Sequence, residues 1–210
     1  MQDIIFPLAV LAFSVILHEV AHGYMANWLG DPTARLQGRL TLNPLVHIDP
    51  VGTIILPLLL KITGSPILIG YAKPVPYNPY NLPGRYDETL VAGAGPATNI
   101  LIALIFGLLI RFFGGDLSAA TLQAFAIITY VNMLLALFNL LPVPPLDGSK
   151  IVSGLLPRGL AGGYDAFRTT FERLGVLQGT LLLLILFYFL SPFFAVVMRN
   201  LFNLLTGVAV

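Results

Sequence analysis

Cysteine is absent from this 210-residue chain, and charge is scarce: Asp, Glu, Lys and Arg together make up 10% of it. Without thiols there is no disulfide and no thiolate metal site, so any metal must be held by imidazole or carboxylate. Soluble domains carry about 25% charged residues. A chain this poor in charge and 57% hydrophobic reads instead as an integral membrane protein. A formal net charge of +1 leaves no basic surface for nucleic acid, so no nucleic-acid partner is expected. No stretch is polar and long enough for a water-soluble domain. Residues 1–210 therefore read as one membrane-embedded domain with short loops, solvated by the lipid bilayer. The opening MQDIIFPLAVLAFSVILHEV lacks the positive start and cleavage site of a signal peptide and reads as a retained helix.

A span needs roughly 20 residues, which leaves room for about five to six transmembrane helices in an all-α polytopic fold. The first apolar run covers residues 4–29 and stops at Gly30-Asp31-Pro32. Asp49-Pro50 reads as a helix start. Val51–Leu60 is too short to cross alone and reads as part of a helix-and-return unit reaching Tyr71. The following GYAKPVPYNPYNLPG is too rich in Pro, Gly and Asn for a helix, so a small extended element or β-hairpin is expected near residues 64–80. Further spans are expected over 88–113, with a bend at Pro96, and over 117–141. A short helix over 149–156, a loop over 157–173 and a C-terminal helical segment over 174–210 complete the chain. With the first helix running inward, Arg35, Arg39, Lys73, Arg85, Lys150, Arg158, Arg168 and Arg173 fall on the cytoplasmic side. Only Lys61, Arg111 and Arg199 of the eleven basic residues fall outside, which favours this orientation.

Histidine is also scarce, with three in the whole chain, yet two of them lie four residues apart within an apolar run. His18-Glu19-Val20-Ala21-His22 is the HExxH pattern. On a helix, residues four apart share a face, so the two imidazoles can grip one Zn²⁺ at about 2.0–2.1 Å. Glu19 is then placed to act as general base toward a water on the metal. Ionisable groups at membrane depth are costly and generally partnered, which favours a metal over a chance match. A catalytic zinc usually takes three protein ligands. His47 is one candidate for the third, in a turn-rich loop where local satisfaction is the competing reading. Asp147 in PPLDG is the first choice, although an Asp-Gly turn or a helix cap is the ordinary use of such a residue.

HEVAH on a membrane helix, followed by NLLPVPPLDG, resembles the site-2 protease family of intramembrane zinc metalloproteases. Asn139, Pro142, Pro144, Leu146, Asp147 and Gly148 all fall in register with that family's second motif. GAGPATN looks like its Gly-Pro-Asn element, with Asn99 between the two motif helices. The resemblance covers a three-helix core of roughly residues 4–157 and points to a compact, prokaryotic-type branch without PDZ or CBS domains. It implies one catalytic zinc held by His18, His22 and Asp147, with Glu19 as base and Asn139 assisting at the substrate carbonyl. It also implies a multi-pass protein of a prokaryotic cell membrane, its active site in the cytoplasmic half, cleaving transmembrane proteins or peptides within or near their spans. The extended segment would supply an edge for an unwound substrate, a structural plug being the alternative. The rivals are a membrane metal-ion transporter, which would more often show inverted repeats, and a non-catalytic relative that binds membrane segments.

Overall fold

The computed structural model describes residues 2–49, 55, 62, 73–173 and 175–208. Its helices are α1 (Gln2–Trp28), α2 (Thr33–Leu36), α3 (Asp87–Phe113), α4 (Ala119–Asn139), α5 (Asp147–Leu155), α6 (Arg158–Glu172) and α7 (Gly175–Thr206). Short 3₁₀ turns lie at Pro44–His47 and Pro79–Asn81.

Four helices among the described residues are long and apolar enough to cross a membrane: Ile4–Trp28, Asp87–Phe113, Ala119–Asn139 and Ile185–Thr206. Four, rather than the five to six expected, is the number described. Val51–Tyr71 lies outside the described residues apart from 55 and 62. The C-terminal helical segment expected over 174–210 is one 32-residue helix, Gly175–Thr206. No strand occurs among the described residues, so the hairpin expected near 64–80 is not seen over 73–80, and 64–72 lie outside them. Pro74, Pro76 and Pro79 explain why: each lacks the amide hydrogen that a strand ladder needs. The loop expected over 157–173 is helix α6 instead. Leu160, Tyr164, Phe167 and Phe171 recur at helical spacing on one face, a period obscured by Gly162-Gly163, and the last three rings pack at 6.0 and 6.2 Å. Helix α3 continues through Pro96.

Helix α3 is the hub, packing against α1, α4, α5 and α7. Between membrane helices the hydrophobic drive is weak, so close approach depends on small residues and polar contacts. Ala103, Met133, Met198 and Phe202 knit α3, α4 and α7 together, and Gly107 leaves the space that Leu205 fills. Arg111 at the end of α3 donates to the Leu204 carbonyl at 2.5 Å, so α3 and α7 end on the same side. Large apolar side chains such as Phe13, Phe189 and Leu204 stay exposed, as they would against lipid tails.

At the opposite end of the bundle, where α1 finishes and α3 begins, a polar clamp fastens residues 73–81. Asp31 is fully buried and accepts from Thr33 N–H, the Thr33 hydroxyl, Asn78 N–H and Asn81 Nδ2. Burial opposes its charge, but the bonds from Asn81, Thr33 and Asn78 outweigh that and hold its pKa below the usual carboxylate range. Arg39 donates from Nη2 to the Lys73 and Pro74 carbonyls at 2.8 and 3.2 Å. The proline-rich segment thus lies extended across the end of α1, and Val75 is buried there.

Candidate metal centre

Helix α1 carries His18 and His22 one turn apart with their rings edge to face, centroids 4.6 Å apart. Both are buried although the helix is otherwise apolar. Asp147 reaches them from a different part of the chain. Pro142, Pro144 and Pro145 cannot extend α4, and the chain doubles back so tightly that a side chain on Gly148 would strike the Leu140 carbonyl. The turn is closed by Leu146 N–H to Val143 O and by Ser149 N–H and hydroxyl to Leu146 O. Asp147 therefore opens α5 with its carboxylate on the histidines: Oδ2 lies 3.0 Å from His18 Nε2 and 3.2 Å from His22 Nε2.

The protons on the two rings can be assigned from their partners. His22 Nδ1 lies 2.6 Å from the Val91 carbonyl, which can only accept, so Nδ1 carries the hydrogen. His18 Nδ1 lies 2.6 Å from Asn99 Oδ1. The orientation of that amide follows from a chain of buried bonds. Asn132 Nδ2 donates to the Ile128 carbonyl and to Ser14 Oγ, both at 2.9 Å, which leaves its Oδ1 to accept from Asn99 Nδ2 at 2.9 Å. Asn99 Oδ1 thus faces His18 and receives its Nδ1–H. Both Nε2 atoms are left as lone pairs, 3.0 Å from each other.

Three electron-rich atoms therefore converge, and Asp147 Oδ2 is a buried oxygen with no hydrogen-bond donor. A single shared proton would satisfy one of the three contacts and leave the others repelling. A cation satisfies all of them. A tetrahedral zinc with bonds of ~2.0–2.1 Å separates its ligand atoms by about 3.3 Å, close to the 3.0–3.2 Å seen here. Among the described residues, this is the group of His, Asp and Glu placed to hold a metal ion. Helix α3 closes the site from the side at Gly95. A Cβ there would press into His22 Nε2 and stand 2.6 Å from His18 Nε2.

The other residues singled out from the sequence are placed as follows. Glu19, between the two histidines, is half-buried and accepts the Val75 N–H on Oε2 at 2.9 Å. His47 is buried away from the metal group, with Nε2 donating to the Thr41 carbonyl at 2.8 Å and its own carbonyl accepting from Lys73 N–H. Asn139 ends α4 and donates from Nδ2 to the Leu135 carbonyl one turn back. Ser14 and Asn132 are not singled out by the sequence, and Gly95 enters there only as part of the Gly-Pro-Asn resemblance, without its role against the histidines. The first two carried a legible signal, being polar residues inside spans, whereas the Val91 carbonyl carried none.

This geometry is that of a group able to hold a metal ion, and relatives of the chain place it further. The profile of "Peptidase family M50" matches residues 114–186. The "Putative zinc metalloprotease YwhC" of Bacillus subtilis is 42% identical over 171 residues, covering 74% of this chain and 74% of its own length. The "Putative zinc metalloprotease Rip2" of Mycolicibacterium smegmatis is 31% identical over 144 residues, which is 69% of this chain and 54% of the relative. No solved structure matches. The chain belongs to peptidase family M50, the site-2 protease family, and is a zinc metalloprotease.

Proposed function

We propose that the chain is an intramembrane endopeptidase that hydrolyses peptide bonds within or beside the transmembrane segments of other membrane proteins. The convergence of His18 Nε2, His22 Nε2 and Asp147 Oδ2 inside the apolar bundle carries this reading, because a hydrolytic metal held there would meet a substrate that is itself a membrane segment. In this reading the three side chains hold one zinc ion. Bound zinc supplies a Lewis acid that polarises a carbonyl and brings the pKa of water toward about 7.

The protein's own part is positional and acid–base. Asn99 and the Val91 carbonyl fix which nitrogen of each imidazole faces the site, so neither ring must rotate or lose a proton first. Glu19 accepts the proton of the attacking water and returns it to the leaving amine, a contribution of about 10²–10⁴-fold. The Val75 N–H on Oε2 holds that carboxylate in place. Asn139 uses one Nδ2 hydrogen on Leu135 O, and the second would meet the substrate carbonyl.

The surplus of Arg and Lys at the end of the bundle that carries Asp31, Arg39, Arg85 and Lys150 supports a site in the cytoplasmic half of the membrane, and the family resemblance supports a prokaryotic cell membrane. Residues 1–210 act as one multi-pass unit. The test is zinc content and cleavage of a single-span reporter in proteoliposomes. Wild type binds one zinc per chain and cleaves in a chelator-sensitive way, while His22→Ala and Asp147→Asn lose both metal and activity. Full zinc occupancy in both variants would refute the ligand assignment, and chelator-insensitive cleavage would refute the reaction.

A further inference from the structure

A second polar site lies beside the metal centre. Arg85, Glu88, Thr89, Lys150, Ser153 and Gly154 contribute to a cavity of about 220 Å³ where α3 begins and α5 and α6 pack. That is below the ~300–1,000 Å³ of sites for drug-sized ligands, so it suits a group of side-chain size. Both of its cations face aromatic rings: Lys150 Nζ lies 5.0 Å from the Tyr77 ring centre and the Arg85 guanidinium 5.1 Å from that of Tyr86. The Thr89 hydroxyl is buried with no hydrogen-bond partner, and α5 comes against it because residue 154 is glycine. Of the acidic groups here, Glu88 accepts from the Tyr77 hydroxyl at 3.1 Å and Asp165 from Ser153 Oγ at 2.5 Å, while the charges of Asp147 and Glu88 also act on Lys150. Two cations and an unused hydroxyl against one lining carboxylate make the cavity an acceptor's site, suited to a carboxylate with up to four lone pairs to satisfy.

Its position says whose carboxylate. Lys150 follows Asp147 by three residues on α5, and residues three apart are neighbours on a helix face. Tyr77, which Lys150 faces, belongs to the extended segment whose Val75 amide holds Glu19. The cavity therefore flanks the reacting groups. We propose that the Arg85–Thr89–Lys150 cavity binds an Asp or Glu side chain of the substrate, on the cytoplasmic side of its scissile bond, and so selects membrane segments with an acidic juxtamembrane residue. This rests on the function proposed above and names the substrate class.

The test uses the full chain with Glu19→Gln, so that binding is read apart from cleavage. Synthetic single-span peptides carry Glu or Gln at each position along their cytoplasmic flank, and their Kd is measured in nanodiscs of neutral lipid. At one or two adjacent positions the Glu peptide binds about tenfold more tightly, and the preference disappears on Lys150→Gln. Charge reversal gives the discriminating result: with Lys150→Glu the chain prefers a Lys peptide at the same position, which a merely structural lysine would not produce. Equal Kd values for Glu and Gln peptides at every position overturn the proposal. So does a Lys150-dependent preference for anionic lipid with none for the peptide, which assigns the cavity to a headgroup. Cleavage of the same peptides by the wild type is scored separately. Selective binding without cleavage sinks the proposed function and leaves the cavity standing, while cleavage without selectivity does the reverse.

Discussion

Replacing Asn99 with alanine perturbs the centre without touching any group that faces the metal. The change removes the acceptor of His18 Nδ1–H at 2.6 Å and the donor to Asn132 Oδ1 at 2.9 Å. Both groups left behind are fully or nearly fully buried, and an unsatisfied buried polar group costs about 1–3 kcal/mol. Part of that cost falls on folding and part on the metal site, because a His18 ring without its anchor can rotate or protonate the wrong nitrogen. Loss of such a supporting partner typically weakens metal binding by about 10–100-fold, or ~1.4–2.7 kcal/mol at 1.36 kcal/mol per tenfold, so the two magnitudes agree. The assay is zinc affinity by chelator competition on protein in nanodiscs, with circular dichroism to confirm that helix content is unchanged. Asn99→Asp is the companion: it keeps an acceptor for His18 but loses the donor to Asn132, so zinc affinity falls less than in the alanine variant while thermal stability falls. A zinc affinity for Asn99→Ala within twofold of wild type, in a folded protein, would refute the reasoning.

Gly95→Ala places a methyl group against both Nε2 atoms, 2.6 Å from that of His18, where real Cβ contacts essentially do not occur. Since a 1 Å misplacement can cost ~10²-fold, cleavage should fall at least about 100-fold with reduced zinc content. Gly93→Ala on the same helix, which meets nothing within 4 Å, should remain near wild type in both measurements. The depressed pKa of Asp31 stabilises the fold fully above the unfolded carboxyl value of about 3.9, and that stability is lost as pH falls through the lower folded value. Unfolding midpoints should therefore decline with acid below about pH 4 in wild type and decline less steeply in Asp31→Asn, which is already less stable at neutral pH. Chelation followed by zinc addition should abolish and then restore cleavage with no change in helix content, since the helices are held by packing around α3 and not by the metal.

The apolar runs made the four described spans legible, because lipid demands long uninterrupted helices and their ends fall at Gly, Pro and Asp. The meeting of His18, His22 and Asp147 was equally legible. HEVAH has one helical geometry, and PPLDG stops one helix and starts another at Asp147. Over 73–80 the expected non-helical path is present without the hairpin, since Pro and Asn content announces an irregular course but not which carbonyls and amides Arg39 and Asp31 will hold. Helix α6 was misread because two adjacent glycines and few apolar residues resemble a loop until the period through Leu160, Tyr164, Phe167 and Phe171 is counted. His47 follows the local reading its turn-rich loop suggested: its ring serves the Thr41 carbonyl, a partner that residue type alone does not name. The Val91 carbonyl has no sequence signature, being a backbone group that any residue can supply, whereas the space at Gly95 requires glycine and only the fold shows what that space is for.

The central claim is that a metal centre on α1 and α5 hydrolyses peptide bonds inside the membrane with Glu19 as its base. The most direct measurement is Glu19→Gln in proteoliposomes with a single-span reporter, scored for zinc content and cleavage together. The account predicts one zinc per chain, as in wild type, with cleavage reduced by about 10²–10⁴-fold. Cleavage at the wild-type rate by a zinc-loaded Glu19→Gln protein would contradict it.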